Sequence, residues 1–136
     1  MAEKLQLEVV TPDRLVLSEP VDIVMAIGSL GEFGILPNHV PFLTTLMAGE
    51  LRYRKDNQLN HMVVTGGFVE VSHNKVTVLA EAAESAREID LDRAKRAKER
   101  AEKRMALAKS EAVDYIRAEA ALRRAMLRLK VAERGH

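Results

Sequence analysis

Few side chains in this chain of 136 residues are of the kinds that make or break covalent bonds. It contains no Cys, which removes disulfide scaffolds, thiol nucleophiles and Cys-based zinc sites. The four His, at His39, His61, His73 and His136, form no HExxH and no pair at helical spacing, so no metal site is expected. The five Ser show no G-x-S-x-G context. The run Gly28-Ser29-Leu30-Gly31-Glu32-Phe33-Gly34 has the glycines of a phosphate loop. It lacks the Lys-Ser/Thr that should follow and a helix to supply amide donors, and reads instead as two tight turns needing positive φ. With no acid–base or nucleophile pair in view, catalysis is not expected.

What the chain does offer is concentrated positive charge. Arg93 and Arg100 are seven positions apart, hence on one face of a helix, and Arg124 and Arg128 are four apart on another. A closed hairpin brings these guanidinium groups together, and such a cluster favours an acidic protein surface or a polyphosphate. A solvated face laced with i,i+4 pairs explains much of the first helix, with Lys95–Glu99, Lys98–Glu102 and Glu99–Lys103, and adds Glu119–Arg123 on the second. It explains less of the end, where five cations from Arg123 onward face one anion. Between these parts lies Ile89-Asp90-Leu91-Asp92-Arg93-Ala94. It reads as a helix start, Asp90 as N-cap and Asp92 set against the macrodipole, with a ligand site as the competing reading.

The elements that must position these residues differ sharply along the chain. Apolar residues are 47% but aromatics only 4%, so any core is built from Val, Leu, Ile, Met and Ala. Up to Glu84 there are six Lys/Arg against eleven Asp/Glu; from Ser85 there are fifteen against nine. All Pro, all Thr and six of the seven Gly lie in the first part, while the second holds twelve Ala. Turn formers and β-branched residues thus give way to helix formers at one point, which predicts two domains, 1–84 and 85–136. The whole-chain charge of +1 argues against a general nucleic-acid binder. No apolar run approaches the ~20 residues of a bilayer span, and MAEKLQLEVV lacks the features of a signal peptide, so a soluble intracellular chain is expected.

The first part shows period-2 alternation at Leu5/Leu7/Val9, Leu51/Tyr53, Met62/Val64 and Val76/Val78/Ala80. Turn signals at Thr11-Pro12-Asp13, Glu19-Pro20, Pro37-Asn38, Asp56-Asn57, Gly66-Gly67 and His73-Asn74 cut it into short strands, as in a small β-sandwich or barrel. In the second part Ala94, Ala97, Ala101, Met105 and Ala108 form one face of a helix from about Leu91 to Lys109. Ala118, Leu122, Ala125, Leu129 and Ala132 do the same from about Val113 to Glu133, with the turn at Lys109-Ser110-Glu111. The expected fold is α+β: an N-terminal β-sandwich, then a C-terminal antiparallel two-helix hairpin. At ~25 cal/mol per Å² an alanine seam contributes few kcal/mol, so the hairpin needs a further partner surface.

The strings GEFGILPNHVPFLT (Gly31 to Thr44) and GGFVEV (Gly66 to Val71), followed by the basic Ala-rich hairpin, resemble the epsilon subunit of bacterial F-type ATP synthases. The resemblance covers essentially the whole chain. It implies a non-catalytic subunit of the central rotor stalk, peripheral on the cytoplasmic face of the cell membrane. Its sandwich would bind the gamma subunit and the c-ring, with Glu32, Phe33, Gly34 and His39 in the contacting loop region. The hairpin would restrain ATP hydrolysis when extended into the alpha/beta head, where Arg117, Arg123, Arg124 and Arg128 would meet the beta subunit. The hinge string matches the family's I/L-D-x-x-R-A motif at Ile89, Asp90, Arg93 and Ala94. This implies ATP as a regulatory ligand, not hydrolysed and needing no metal, that favours the compact hairpin. Glu84, Ile89 and Asp90 would address the adenine end, and Arg93, Arg100, Arg124 and Arg128 the phosphates. The competing expectation, from another class, is a stand-alone adaptor or nucleic-acid-binding module using the basic hairpin. The lack of aromatic stacking platforms and the acidic first part weigh against nucleic acid as a partner.

Overall fold

The computed structural model of the chain describes residues 3–107 and 112–135. Its packing divides between Ser85 and Ala86 into two compact units, one of strands and one of helices.

The first unit contains β1 (Leu5–Val10), β2 (Leu15–Val21), β3 (Ile23–Gly28), β4 (Gly31–Ile35), β5 (Phe42–Leu46), β6 (Gly49–Lys55), β7 (Gln58–Ser72) and β8 (Lys75–Ser85). They run in the order β2-β1-β8-β7-β5-β3-β4, and β6 pairs with both β3 and β7. β1 is parallel to β8; the other ladders among the described residues are antiparallel. Alternation and register agree. Leu7 lies opposite Val76 and Val9 opposite Val78, and these two valines face Val71 and Val69 of β7. All six are buried, so slipping any of these strands by one residue would turn its apolar set to water. The core is aliphatic apart from Tyr53, and no described polar side chain is buried.

Local turn chemistry forms three of the expected connections. Asn38, Asp56-Asn57 and His73-Asn74 have positive φ, which Asn and Asp tolerate better than most residues. Thr11 closes the next turn by donating its backbone N–H to the Arg14 carbonyl at 3.0 Å.

Three expectations require correction. Glu19-Pro20 is not a turn but lies within β2, where Pro20 faces Gln6. β2 ends the strand order, and a strand edge is where a missing N–H costs no ladder bond. Gly66-Gly67 likewise lies inside β7, at the point where that strand changes neighbours: it pairs with β6 up to Val64 and with β5 from Gly67. At Gly67, φ is +131° and an added Cβ would sit 1.9 Å from the Leu79 carbonyl oxygen, so the corner admits no side chain. The run Gly28–Gly34 makes one hairpin turn rather than two, at Ser29-Leu30, and of its glycines Gly31 has positive φ. Gly28 is tied to packing instead, since a Cβ there would approach the Phe33 ring to 3.0 Å.

The second unit starts with a single 3-10 turn, Ala86–Glu88, and continues as α1 (Leu91–Leu107) and α2 (Ala112–Gly135). The expected turn at Lys109-Ser110-Glu111 lies outside the described residues, as does Ala108. Ala94 and Ala101 of α1 are buried, as are Ala118, Ala125, Val131 and Ala132 of α2. The stripes anticipated by spacing are therefore largely the faces that pack. Of the four anticipated i,i+4 pairs, Lys98–Glu102 forms at 3.8 Å and Arg123–Glu119 forms as a hydrogen-bonded pair. Lys95–Glu99 and Glu99–Lys103 make no contact of ion-pair length. Exposed pairs of this kind stabilise weakly, so their absence costs little.

Candidate functional site

The hinge is positioned by a cap. The Asp90 side chain accepts a hydrogen bond from the Arg93 backbone N–H at 3.1 Å, while its own carbonyl accepts from the Ala94 N–H at 3.0 Å. This is the N-cap geometry expected from the sequence, satisfying one of the free amides at the start of α1. Ile89 is tied back by its N–H to the Ala86 carbonyl at 3.3 Å and is buried, as is Ala94. Glu84 falls near the end of β8 in the first unit, and Arg93 and Arg100 are exposed on α1.

The candidate arginines of α2 do not form one set. Arg124 lines an open groove between α1 and α2, and Arg117 lines the same groove from one face of α2. Arg104 of α1, absent from the expected set, lines it too, while Arg93, Arg100 and Arg128 do not. Arg128 is half-buried and has a partner, and Arg123 is held by Glu119. Arg104 was detectable in principle, because it lies four residues beyond Arg100 and eleven beyond Arg93 on one helical face.

The loop end of the sandwich is organised by side chains that the sequence reading missed. Phe33 and His39 each pack edge-on against Phe42, with ring centroids 5.6 and 5.8 Å apart. Phe42 stands in the same string, GEFGILPNHVPFLT, and aromatic spacing was the available signal. Glu32 pairs with Arg52, which lies 3.4 Å from Glu50; Glu50 in turn is 3.3 Å from His61. Asn38 and Asn74 bind each other: the Asn38 N–H donates to the Asn74 side-chain oxygen at 2.6 Å, and the Asn74 amide returns a 3.4 Å contact. Gly34 is exposed on β4, opposite Met25. In the same stretch of chain Leu30, Val40 and Leu43 are 102%, 70% and 68% exposed, and large apolar side chains left in water are candidates for contact with a partner.

Among the described residues no group of three or more His, Asp or Glu could hold a metal ion, and no helix is long and apolar enough to cross a membrane. The Lys4 ammonium is held above its ordinary pKa, chiefly by its hydrogen bond to Asp22.

Comparison with known proteins gives this geometry its context. Residues 4–86 match the family model "ATP synthase, Delta/Epsilon chain, beta-sandwich domain", and residues 87–133 match "ATP synthase, Delta/Epsilon chain, long alpha-helix domain". The chain belongs to the ATP synthase delta/epsilon family. Curated relatives that it matches along nearly its whole length are named ATP synthase epsilon chains. It is 58% identical over 131 residues to the ATP synthase epsilon chain of Nitratidesulfovibrio vulgaris, covering 96% of this chain and 97% of that one. It is 57% identical over 134 residues to that of Syntrophobacter fumaroxidans, covering 98% and 99%. A solved structure of the Euglena gracilis mitochondrial ATP synthase, comprising OSCP, F1 and c-ring, contains a chain that matches with a TM-score of 0.76. That chain is 25% identical, and the match covers 90% of this chain and 77% of that one. In the central stalk and c-ring of the Tetrahymena thermophila enzyme a chain 17% identical shares the fold, with a TM-score of 0.61. As an epsilon chain, the protein is a non-catalytic subunit of an ATP synthase. The alternative of a stand-alone adaptor or nucleic-acid module has no counterpart in these matches.

Proposed function

We propose that this epsilon chain works in the central stalk of its ATP synthase, at the cytoplasmic face of the membrane, as a coupling element and an ATP-sensitive brake. The sandwich seats on the gamma subunit and the c-ring through its loop end. The exposure of Leu30, Val40 and Leu43, with Phe33 and His39 held by Phe42, supports that assignment. The helical unit is the brake: extended, it enters the alpha/beta head and restrains hydrolysis. ATP at the hinge motif Ile89, Asp90, Arg93 and Ala94 favours the compact form, with Glu84 at the adenine end and Arg100, Arg124 and Arg128 toward the phosphates.

One observation carries the reading. The chain packs as two separate units, and the second is zipped mainly through alanine, with its arginines at the surface. A unit with so little apolar area committed to one arrangement can exchange arrangements at low cost. A ligand then shifts the balance by its differential affinity for the two states.

The test compares the reconstituted ATP synthase carrying the full chain, a chain ending at Glu88, and Arg93→Ala. Truncation is expected to leave assembly intact and raise hydrolysis several-fold. Arg93→Ala is expected to keep the restraint while making its relief require more ATP. Equal restraint after truncation would refute the brake, and an unchanged ATP dependence in Arg93→Ala would remove the hinge site.

A further inference from the structure

The groove between the last turns of α1 and the first half of α2 is not part of the hinge motif. Arg104 reaches it from α1, and Arg117 and Arg124 from α2, where they stand seven residues apart on one face. Its floor includes Ala118 and Ala121, whose small side chains leave the space open. The three arginines make no ion pair with a described residue, and neither does Asp114, which lines one end. Like charges gathered from two helices repel one another, and among the described lining residues three arginines stand against one carboxylate. Arg117 and Arg124 are separated by ~10 Å along the helix axis at 1.5 Å per residue. A compact anion would engage one end of such a row, whereas an elongated polyanion meets all of it.

We propose that this groove is a binding site for a linear oligophosphate, free or as the tail of a nucleotide. Guanidinium groups present paired N–H donors that match phosphate oxygens, and an extended chain of linked phosphates places charge along the whole row. Arg104 and Arg117 are the distinguishing residues, and Arg124 is shared with the phosphate set assigned to the hinge nucleotide. A ligand bridging the two helices would tie them together at the end opposite the hinge, so occupancy here favours the closed hairpin.

The full chain is titrated by calorimetry with sodium tripolyphosphate, ATP and AMP, and with an acidic peptide of aspartates matched in charge. Variants are Arg104→Gln, Arg117→Gln, Asp90→Ala, and Arg96→Gln as an exposed control outside the groove. Tripolyphosphate is expected to bind the parent, to weaken about tenfold in Arg104→Gln and in Arg117→Gln, and to be unchanged in Arg96→Gln and Asp90→Ala. If ATP but not tripolyphosphate responds to Arg104→Gln and Arg117→Gln, the occupant is the nucleotide tail. Loss of ATP binding in Asp90→Ala with tripolyphosphate intact separates the groove from the hinge site, so either can fail without the other. The proposal is overturned if neither tripolyphosphate nor ATP binds, if AMP binds as tightly as they do, or if all the Arg variants weaken binding equally. It is equally overturned if the aspartate peptide binds as tightly as tripolyphosphate, because that would be net charge acting without a phosphate site.

Discussion

The sandwich and the hairpin bury their residues by different means. In the sandwich Leu5, Leu7, Val9, Ile35, Leu51 and Val78 are fully enclosed, and each belongs to a strand whose neighbours hold it in register. In the hairpin the enclosed residues are alanines, joined by Val131 and by Ile89 before α1. A leucine removed from water contributes far more than an alanine, so equal numbers of buried positions do not mean equal stability. The sandwich is therefore the rigid platform and the hairpin the part with low local stability, which is where moving elements are drawn from. Net charge divides the same way: the sandwich segment is acidic and the helical segment basic. Electrostatic partners of the helical part are thus anions, and their grip weakens as salt rises.

The largest expected effect lies in the platform. Leu51→Ala removes a fully buried side chain of β6 and should cost ~2–5 kcal/mol, seen as a lowered urea midpoint for the β-sheet amides. If those amides kept their midpoint while helical ellipticity fell, the assignment of rigidity would be reversed. Ala118→Leu is the matching insult to the hairpin, forcing a larger side chain into the α1–α2 seam. It should cost ~1–3 kcal/mol, read as loss of helical circular dichroism at a temperature where the sheet stays protected. A coincident loss in both parts would mean that the two units unfold as one. Asp90→Ala is the smallest of the three. It removes the cap on the Arg93 amide and should cost ~1 kcal/mol of α1, visible as faster exchange of the first-turn amides with the sheet unchanged.

Much of this arrangement is legible in the residues. The switch from Pro, Gly and Thr to Ala, Lys and Arg marks where strands end and helices begin, because each composition satisfies one backbone geometry poorly and the other well. Period-2 alternation marks Leu5, Leu7 and Val9 as inward, and the 3–4 spacing marks Ala94, Ala101, Ala118 and Ala125 as the seam. Asp90 is readable as a cap because its bond spans three residues.

Other features depend on residues far away along the chain. Glu19-Pro20 and Gly66-Gly67 carry the local signature of turns, yet one is strand edge and the other a strand corner. The dipeptide states which φ values are allowed, and the neighbouring strand decides what they are used for. Asn74 reaches Asn38 across 36 positions, and no periodicity announces that. The arginines of the helical unit show the same limit: helical spacing places Arg93, Arg100 and Arg104 on one face, but it does not say which of them shares a groove with Arg117 and Arg124.

Composition and periodicity settled which backbone geometry each segment adopts and which face turns inward, since both follow from forces acting within a few residues. Which arginines share a groove, why Gly67 must lack a side chain, and how Phe42 joins Phe33 to His39 were settled by packing. Those outcomes depend on atoms from separate strands or helices occupying one small volume, and distance along the chain carries no record of it.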